Sequence, residues 1–267
     1  TPMVAMVTNV GSSHLEYLRT RENIAKAKLE IGEGLVDGGH LLLNGDEPLL
    51  EDHYCERYET VYVGFSEECS FRISNVTVDE SGTRFDLRVP RGDYIFGIHL
   101  NLVGKHFAYN AAFAAAAAYL MGIDCETIRE GLEAYTPTNM RMNISKRDGI
   151  TLIADCYNAA PESMRGAIDS LSAIGVEGKR IAVLGDMKEL GEGSEEEHRK
   201  IVTFLGECGF EKVILVGAEF GKVNTNFEHY PDVEAVKAIF AKSKPEGKFM
   251  LIKGSNSMKL AQLKDIL

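Results

Sequence analysis

Three apolar runs in this chain stop at small clusters of side chains able to do chemistry. In Ile150-Thr-Leu-Ile-Ala-Asp155-Cys-Tyr157-Asn158-Ala-Ala-Pro161, a β-branched run ends in a carboxylate, a phenol and an amide. Proline then falls at the first turn of the next helix, where a missing N–H costs nothing. Leu184-Gly-Asp186-Met-Lys-Glu189-Leu-Gly191 places two carboxylates after another such run, and Leu251-Ile-Lys253-Gly-Ser255-Asn256 places a cation, a hydroxyl and an amide after a third. Each reads as a strand with polar groups at its carboxyl end, the edge where open α/β sheets bind ligands. An ordinary turn would use the same residue types. Convergence of three strand ends on one edge is the stronger observation.

A second set lies nearer the start. Thr8 and Asn9 close a short apolar run, His14 follows five residues on, and Lys28 fourteen beyond that. Ile24, Lys28, Ile31 and Leu35 recur at helical spacing, which predicts a helix over 21–35 with Lys28 on its apolar stripe. A lysine there must snorkel, find a buried partner or change its charge state. Lys26 points away and can pair with Glu22 at i, i+4. Taken alone, His14 reads as a loop histidine. Gly104-Lys-His-Phe-Ala-Tyr-Asn110 opens a helix, whose N-terminus suits an anion or nucleotide and whose Asn110 can meet a base or ribose. Arg141 could reach a phosphate through its planar fork, or serve as a surface ion-pair partner. Ser194 and Glu197 have the spacing of a capping box.

The elements that must position these groups fall into two α/β sets. Runs at 4–9, 41–44 and 61–64 read as strands, and 71–102 alternates as an antiparallel patch interrupted by Glu80-Ser-Gly82 and Pro90-Arg-Gly-Asp93. The alanine-rich stretch 104–121 reads as a buried helix. After the linker Tyr135-Thr-Pro-Thr-Asn139, β/α alternation restarts: strands at 150–155, 180–184, 212–216 and 248–252, with helices at 161–173, 194–207, near 233–242 and at the end. The fold class predicted is α/β: a parallel sheet with an antiparallel patch over 1–137, then a Rossmann-like domain over 138–267.

Composition narrows the function classes. With 267 residues, 45% hydrophobic and 26% charged, the chain is globular. A net charge of −11 without a basic stripe argues against a nucleic-acid partner. No apolar segment reaches transmembrane length. Five dispersed cysteines form no C-x-x-C, which fits a reducing cytoplasm and neither a disulfide framework nor a zinc site. There is no G-x-x-x-x-G-K-[ST] to cradle a triphosphate, and no G-x-G-x-x-G after a strand.

Taken together, Thr8-Asn9-x4-His14, Ala25-Lys-Ala-Lys28, Asp155-x-Tyr157-Asn158-Ala-x-Pro161 and Leu184-Gly-Asp-Met-x-Glu-Leu-Gly191 with His198 resemble the Mur ligase family of cell-wall enzymes. The resemblance implies an ADP-forming peptide ligase using ATP and Mg²⁺ and passing through an acyl phosphate. The 184–191 segment resembles the branch that joins D-Ala-D-Ala to UDP-MurNAc-tripeptide, so these are the implied partners, with no nucleic acid and no membrane insertion, and a monomer is expected. His14 would hold Mg²⁺ together with Lys28, if carbamylated. Asn110 would contact adenine, Asp155 the ribose and Arg141 the phosphates, with Tyr157 and Asn158 also binding the nucleotide; Lys28, His14 and Arg141 would be the catalytic residues. Lys253, Ser255 and Asn256 would border the dipeptide pocket, although many relatives carry arginine at the Asn256 position, and Asp186 and Glu189 would also bind substrate. The family also has a UDP-binding domain and a P-loop, so the expectation is a truncated ligase that is inactive alone. The rival readings are another amide ligase of the superfamily, such as a folylpolyglutamate synthase, and a non-catalytic binding fragment.

Overall fold

The computed structural model describes residues 1–11, 15–137, 142–147, 149–174 and 179–267, with only the backbone of Leu15, Glu16, Asn143 and Arg147. Two compact units emerge, one built from Thr1–Gly11 and Tyr17–Thr136, the other from Pro137–Leu267.

The first unit is a six-stranded sheet in sequence order: β1 (Val4–Val7), β2 (His40–Asn44), β3 (Glu59–Gly64), β4 (Phe71–Asp79), β5 (Gly82–Arg88) and β6 (Tyr94–Leu100). β1 to β4 pair in parallel, and β4 to β6 are antiparallel, so the patch expected from alternation continues the parallel sheet. Between β1 and β2 lie the single turn α1 (Leu15–Leu18) and α2 (Arg21–Leu29). Helices α3 (Lys105–Leu120) and α4 (Cys125–Glu133) pack on the face presenting Ile73, Phe85, Leu87 and Ile98. The small side chains of Ala108, Ala112, Ala115 and Ala116 let α3 approach that face closely, and all four are buried. α4 was not foreseen, although Asp124 caps it through the backbone N–H groups of Glu126 and Thr127.

In the second unit, the order is β11 (Glu228–Tyr230), β10 (Lys212–Val216), β9 (Arg180–Gly185), β12 (Phe249–Lys253), β8 (Ile150–Asp155), β7 (Asn143–Arg147). All neighbours are parallel except the β7/β8 pair. Strands β7 and β11 were not foreseen. Helix α5 (Pro161–Ala173) lies against β9 and β12 and packs beside α6 (Ser194–Glu207). On the other face, α7 (Val233–Lys242) packs Val233, Val236 and Phe240 on Ile181, Val183, Ile214 and Ile252. Leu260 and Leu263 join that cluster from 3-10 turns over Asn256–Met258 and Leu260–Asp265, where a final helix was expected. Among the described residues, no helix is long and apolar enough to cross a membrane.

Candidate functional site

In the first unit, three successive carbonyls just beyond β1 are capped by side chains from elsewhere in the chain. Asn44 Nδ2 donates to Thr8 O at 3.2 Å, Lys28 Nζ to Asn9 O at 2.9 Å, and the Arg21 guanidinium to Val10 O at 2.8 and 3.2 Å. Arg21 is itself held by Glu47 at 2.7 Å. A cavity of about 380 Å³ opens beside Lys28, lined also by Met6, Val7, Thr8, Ala27 and Ile31. Thr8, Asn9 and Lys28 are therefore brought together as the spacing suggested.

The reason is not the one predicted. α2 stops at Leu29 and continues as a 3-10 turn over Glu30–Gly34, so the spacing 24, 28, 31, 35 does not define one stripe. Ile24 and Leu35 are buried, Ile31 is 47% exposed, and Lys28 is exposed. Lys28 stands at a cavity mouth, not in a core. His14 and Arg141 lie outside the described residues.

The N-terminus of α3 is fixed from two sides. Buried Thr83 accepts the Gly104 N–H at 3.0 Å and donates to Leu102 O at 2.7 Å. One turn in, the Tyr109 hydroxyl donates to Asp46 at 2.5 Å, while the same carboxylate accepts the Phe65 and Ser66 N–H groups at 2.7 and 2.9 Å. Burial, then the neighbouring carboxylate, push the Tyr109 phenol above its ordinary range. Asn110, next in sequence, is exposed at this anchored turn. Asp46 and Tyr109 were not singled out in the sequence, because residues 63 apart give no local signal.

In the second unit, β8 and β12 are neighbours whose registered ends are Asp155 and Lys253. Lys253, 1% exposed, donates to Asp155 Oδ2 at 2.5 Å and to Asn158 O at 3.0 Å. One cation thus ties a candidate carboxylate to the turn that leads into α5. Pro161 occupies the first position of α5, and Ser163 Oγ accepts the Ala160 N–H at 3.0 Å. Ser255, two residues past β12, is 5% exposed, and its hydroxyl has no partner among the described residues. Tyr157, Asn158 and Asn256 are exposed around this edge. Cys156 faces inward, and burial pushes its thiol up to about 11, which removes it from nucleophilic chemistry at neutral pH.

Asp186 and Glu189, both expected to bind substrate, are turned in opposite directions. Asp186 is 1% exposed and accepts the Glu219 and Phe220 N–H groups, each at 3.0 Å. With Lys188 also at 3.3 Å, its oxygens are engaged within the protein. Glu189 is exposed, with a left-handed φ of 63°. His198 is fully buried: Nε2 accepts the Met187 N–H at 3.1 Å, and Nδ1 lies 2.7 Å from Ser194 O. That pattern requires the neutral ring, and burial lowers its proton affinity. The expected capping box does not form, because Ser194 is the first helical residue and its hydroxyl donates to Glu219 at 2.9 Å.

Comparison with known proteins matches both units. The Mur ligase middle domain matches residues 1–118, and the Mur ligase, glutamate ligase domain matches residues 140–256. A UDP-N-acetylmuramoyl-tripeptide–D-alanyl-D-alanine ligase of Bacillus subtilis is 33% identical over 281 aligned residues, covering 100% of this chain and 59% of that protein. The MurF ligase of Thermotoga maritima, solved in complex with ADP, superposes with a TM-score of 0.86 at 25% identity, covering 99% of this chain and 61% of that one. A folylpolyglutamate synthase of Mycobacterium tuberculosis shares the fold at a TM-score of 0.70 and 17% identity, over 99% of this chain and 64% of that one. The chain thus spans about three-fifths of the relatives it matches. With both sheets and nearly all of its length accounted for by these matches, the chain belongs to the Mur ligase family.

Proposed function

We propose that this chain carries the nucleotide-facing and amine-facing parts of an ATP-dependent ligase that joins D-Ala-D-Ala to UDP-MurNAc-tripeptide. The observation that supports this most is the 33% identity, along the whole chain, to a relative named for that reaction. Residues 1–137 form the C-terminal part of the central ATPase domain in this reading, and 138–267 the ligase domain. ATP supplies the phosphoryl group that activates the tripeptide carboxylate, so that the amine can displace phosphate.

The side chains have separable tasks. Asp155, held through Oδ2 by Lys253, keeps its other oxygen to accept a ribose hydroxyl, with Tyr157 and Asn158 beside it. Asn110 meets the adenine edge from the anchored first turns of α3, and Arg141 reaches the phosphates. Ser255, buried and without a partner among the described residues, suits a hydrogen bond to the dipeptide, bordered by Asn256. Lys253 acts by positioning Asp155. Glu189 lies at the same sheet edge, and Asp186 acts by holding its loop.

Mg²⁺ enters this reading through His14 and a carbamylated Lys28. The unmodified ammonium does not fit a cation, since it is itself positively charged and donates to Asn9 O. Among the described residues, no three His, Cys, Asp or Glu side chains are gathered for a metal. An amine-acceptor screen of the natural full-length protein tests the assignment. Turnover with D-Ala-D-Ala is expected, and turnover with glutamate instead would transfer the chain to the folylpolyglutamate synthase branch.

A further inference from the structure

Each polar side chain of the turn after β2 reaches an element far away in sequence. Asn, Asp and Glu at a turn ordinarily bond the backbone about two residues on, and two bonds here do so. Asn44 Oδ1 accepts the Asp46 N–H at 2.9 Å, and Glu47 Oε1 accepts the Leu49 N–H at 3.3 Å. The others are long-range. Asn44 reaches the carbonyl of Thr8, 36 residues back, and Glu47 the guanidinium of Arg21, 26 back. Asp46 reaches the hydroxyl of Tyr109, 63 residues ahead.

Sheet topology makes this possible. β2 lies between β1 and β3, and the three run parallel, so the turn sits between the carboxyl ends of both neighbours. Adjacent strands lie about 4.8 Å apart, within reach of these side chains. On the β1 side, Asn44 holds Thr8 O, while Arg21, itself held by Glu47, holds Val10 O. The carbonyl between them, Asn9 O, is the one that Lys28 takes. On the β3 side, Asp46 accepts the Phe65 and Ser66 N–H groups. Gly64 leaves room for this, since a Cβ there would lie 2.4 Å from Asp46 Oδ2. Phe65 then meets Tyr109 edge to face, with ring centres 5.0 Å apart, and carries the Lys105 ammonium 4.4 Å from its own ring centre. The opening turns of α3, which present Asn110, are thereby tied to the same carboxylate. Both sets of candidate residues in this unit hang on one short turn.

From this geometry we propose that Asn44, Asp46 and Glu47 are positioning residues, a hub that holds the Lys28 turn and the start of α3 in one frame. The proposal rests on the ligase reading above, in which the hub sets the lysine end of the nucleotide site against its base end.

Nuclear magnetic resonance on the 267-residue chain tests the hub with no substrate present. Asp46→Ala removes the carboxylate, and Gly64→Ala crowds it. Each should shift the amide signals of both Asn110 and Thr8–Val10, with those of β10 and β12 unmoved. Movement at one end alone, or at neither, overturns the hub, because the two ends would then be separate fixtures. Kinetics of the natural full-length protein separate the two arms. Tyr109→Phe cuts only the α3 arm and is expected to raise the KM for ATP roughly fivefold, the contribution of one partly solvated hydrogen bond, at nearly constant kcat. Asn44→Ala cuts the β1 arm and should lower kcat with the KM for ATP near normal. Asn44→Asp keeps the bond to the Asp46 N–H but cannot donate to Thr8 O, so it should resemble Asn44→Ala. Recovery with aspartate would reduce Asn44 to a local cap and overturn its role, as would the same kinetic change from both arms. If the wild-type protein turns over no D-Ala-D-Ala, the ligase reading fails while the resonance experiment still decides the hub.

Discussion

Buried polar side chains carry most of what this chain says about its chemistry, and their energetics can be tested singly. Lys253 is enclosed with Asp155 and the Asn158 carbonyl as its partners. Replacing one member of a buried pair leaves the other charge uncompensated, at a cost of about 3–5 kcal/mol. Lys253→Met should therefore lower the denaturation midpoint sharply and raise the KM for ATP, because Asp155 loses its orientation. A variant of native stability with an unchanged KM would remove Lys253 from the account. Asp155→Ala should raise the KM for ATP without altering which amine is accepted. His198 gives a pH signature. Burial depresses its folded-state pKa, so the unfolded chain takes up a proton first as pH falls below about 6.5. Its contribution to stability is complete above that pH and is lost on acidification. His198→Gln should flatten this acid-side decline in urea midpoints measured from pH 8 to pH 5, and parallel profiles would contradict the assignment. Cys69 and Cys156, both raised to about 11 by burial, should resist thiol reagents in the folded chain at neutral pH and react only after unfolding.

Elements were legible where a signal is local and obscure where tertiary contact decides. The strands ending at Asp155, Gly185 and Lys253 could be read from apolar runs broken by polar residues, and α5 and α6 from periodicity and Pro161. Helix α2 could not be bounded. Its apolar spacing runs on to Leu35, but the backbone tightens to a 3-10 turn after Leu29, and side-chain spacing records no such change. Strand β7 escaped because Ile144 is its only strongly apolar residue, although Asp148-Gly149 before β8 is a two-residue hairpin signal. The contacts of Asp186 were invisible for a different reason. Asp186 meets backbone N–H groups 33 and 34 residues away, and nothing in the spacing of a lone carboxylate announces backbone partners. The exposed Lys28 ammonium stands at a cavity beside Thr8, the kind of place where carbon dioxide can reach it. Lys28→Ala should abolish turnover, with partial rescue by small carboxylic acids, whereas Lys26→Ala should leave turnover near normal. Equal losses from both would remove the special role of Lys28.

At the scale of the molecule, two α/β units each bring candidate residues to the carboxyl ends of parallel strands: Thr8, Asn9 and Lys28 in one, Asp155, Lys253 and Ser255 in the other. Family membership follows from the match of both units. The 267-residue chain lacks a triphosphate-cradling G-x-x-x-x-G-K-[ST] motif, so by itself it should release no ADP. ADP release by the natural full-length protein, supplied with ATP, UDP-MurNAc-tripeptide and D-Ala-D-Ala, tests the central claim most directly. Release that requires both the tripeptide and the dipeptide is the expected result. Release that ignores the dipeptide, or that another amine supports in its place, would contradict the assignment.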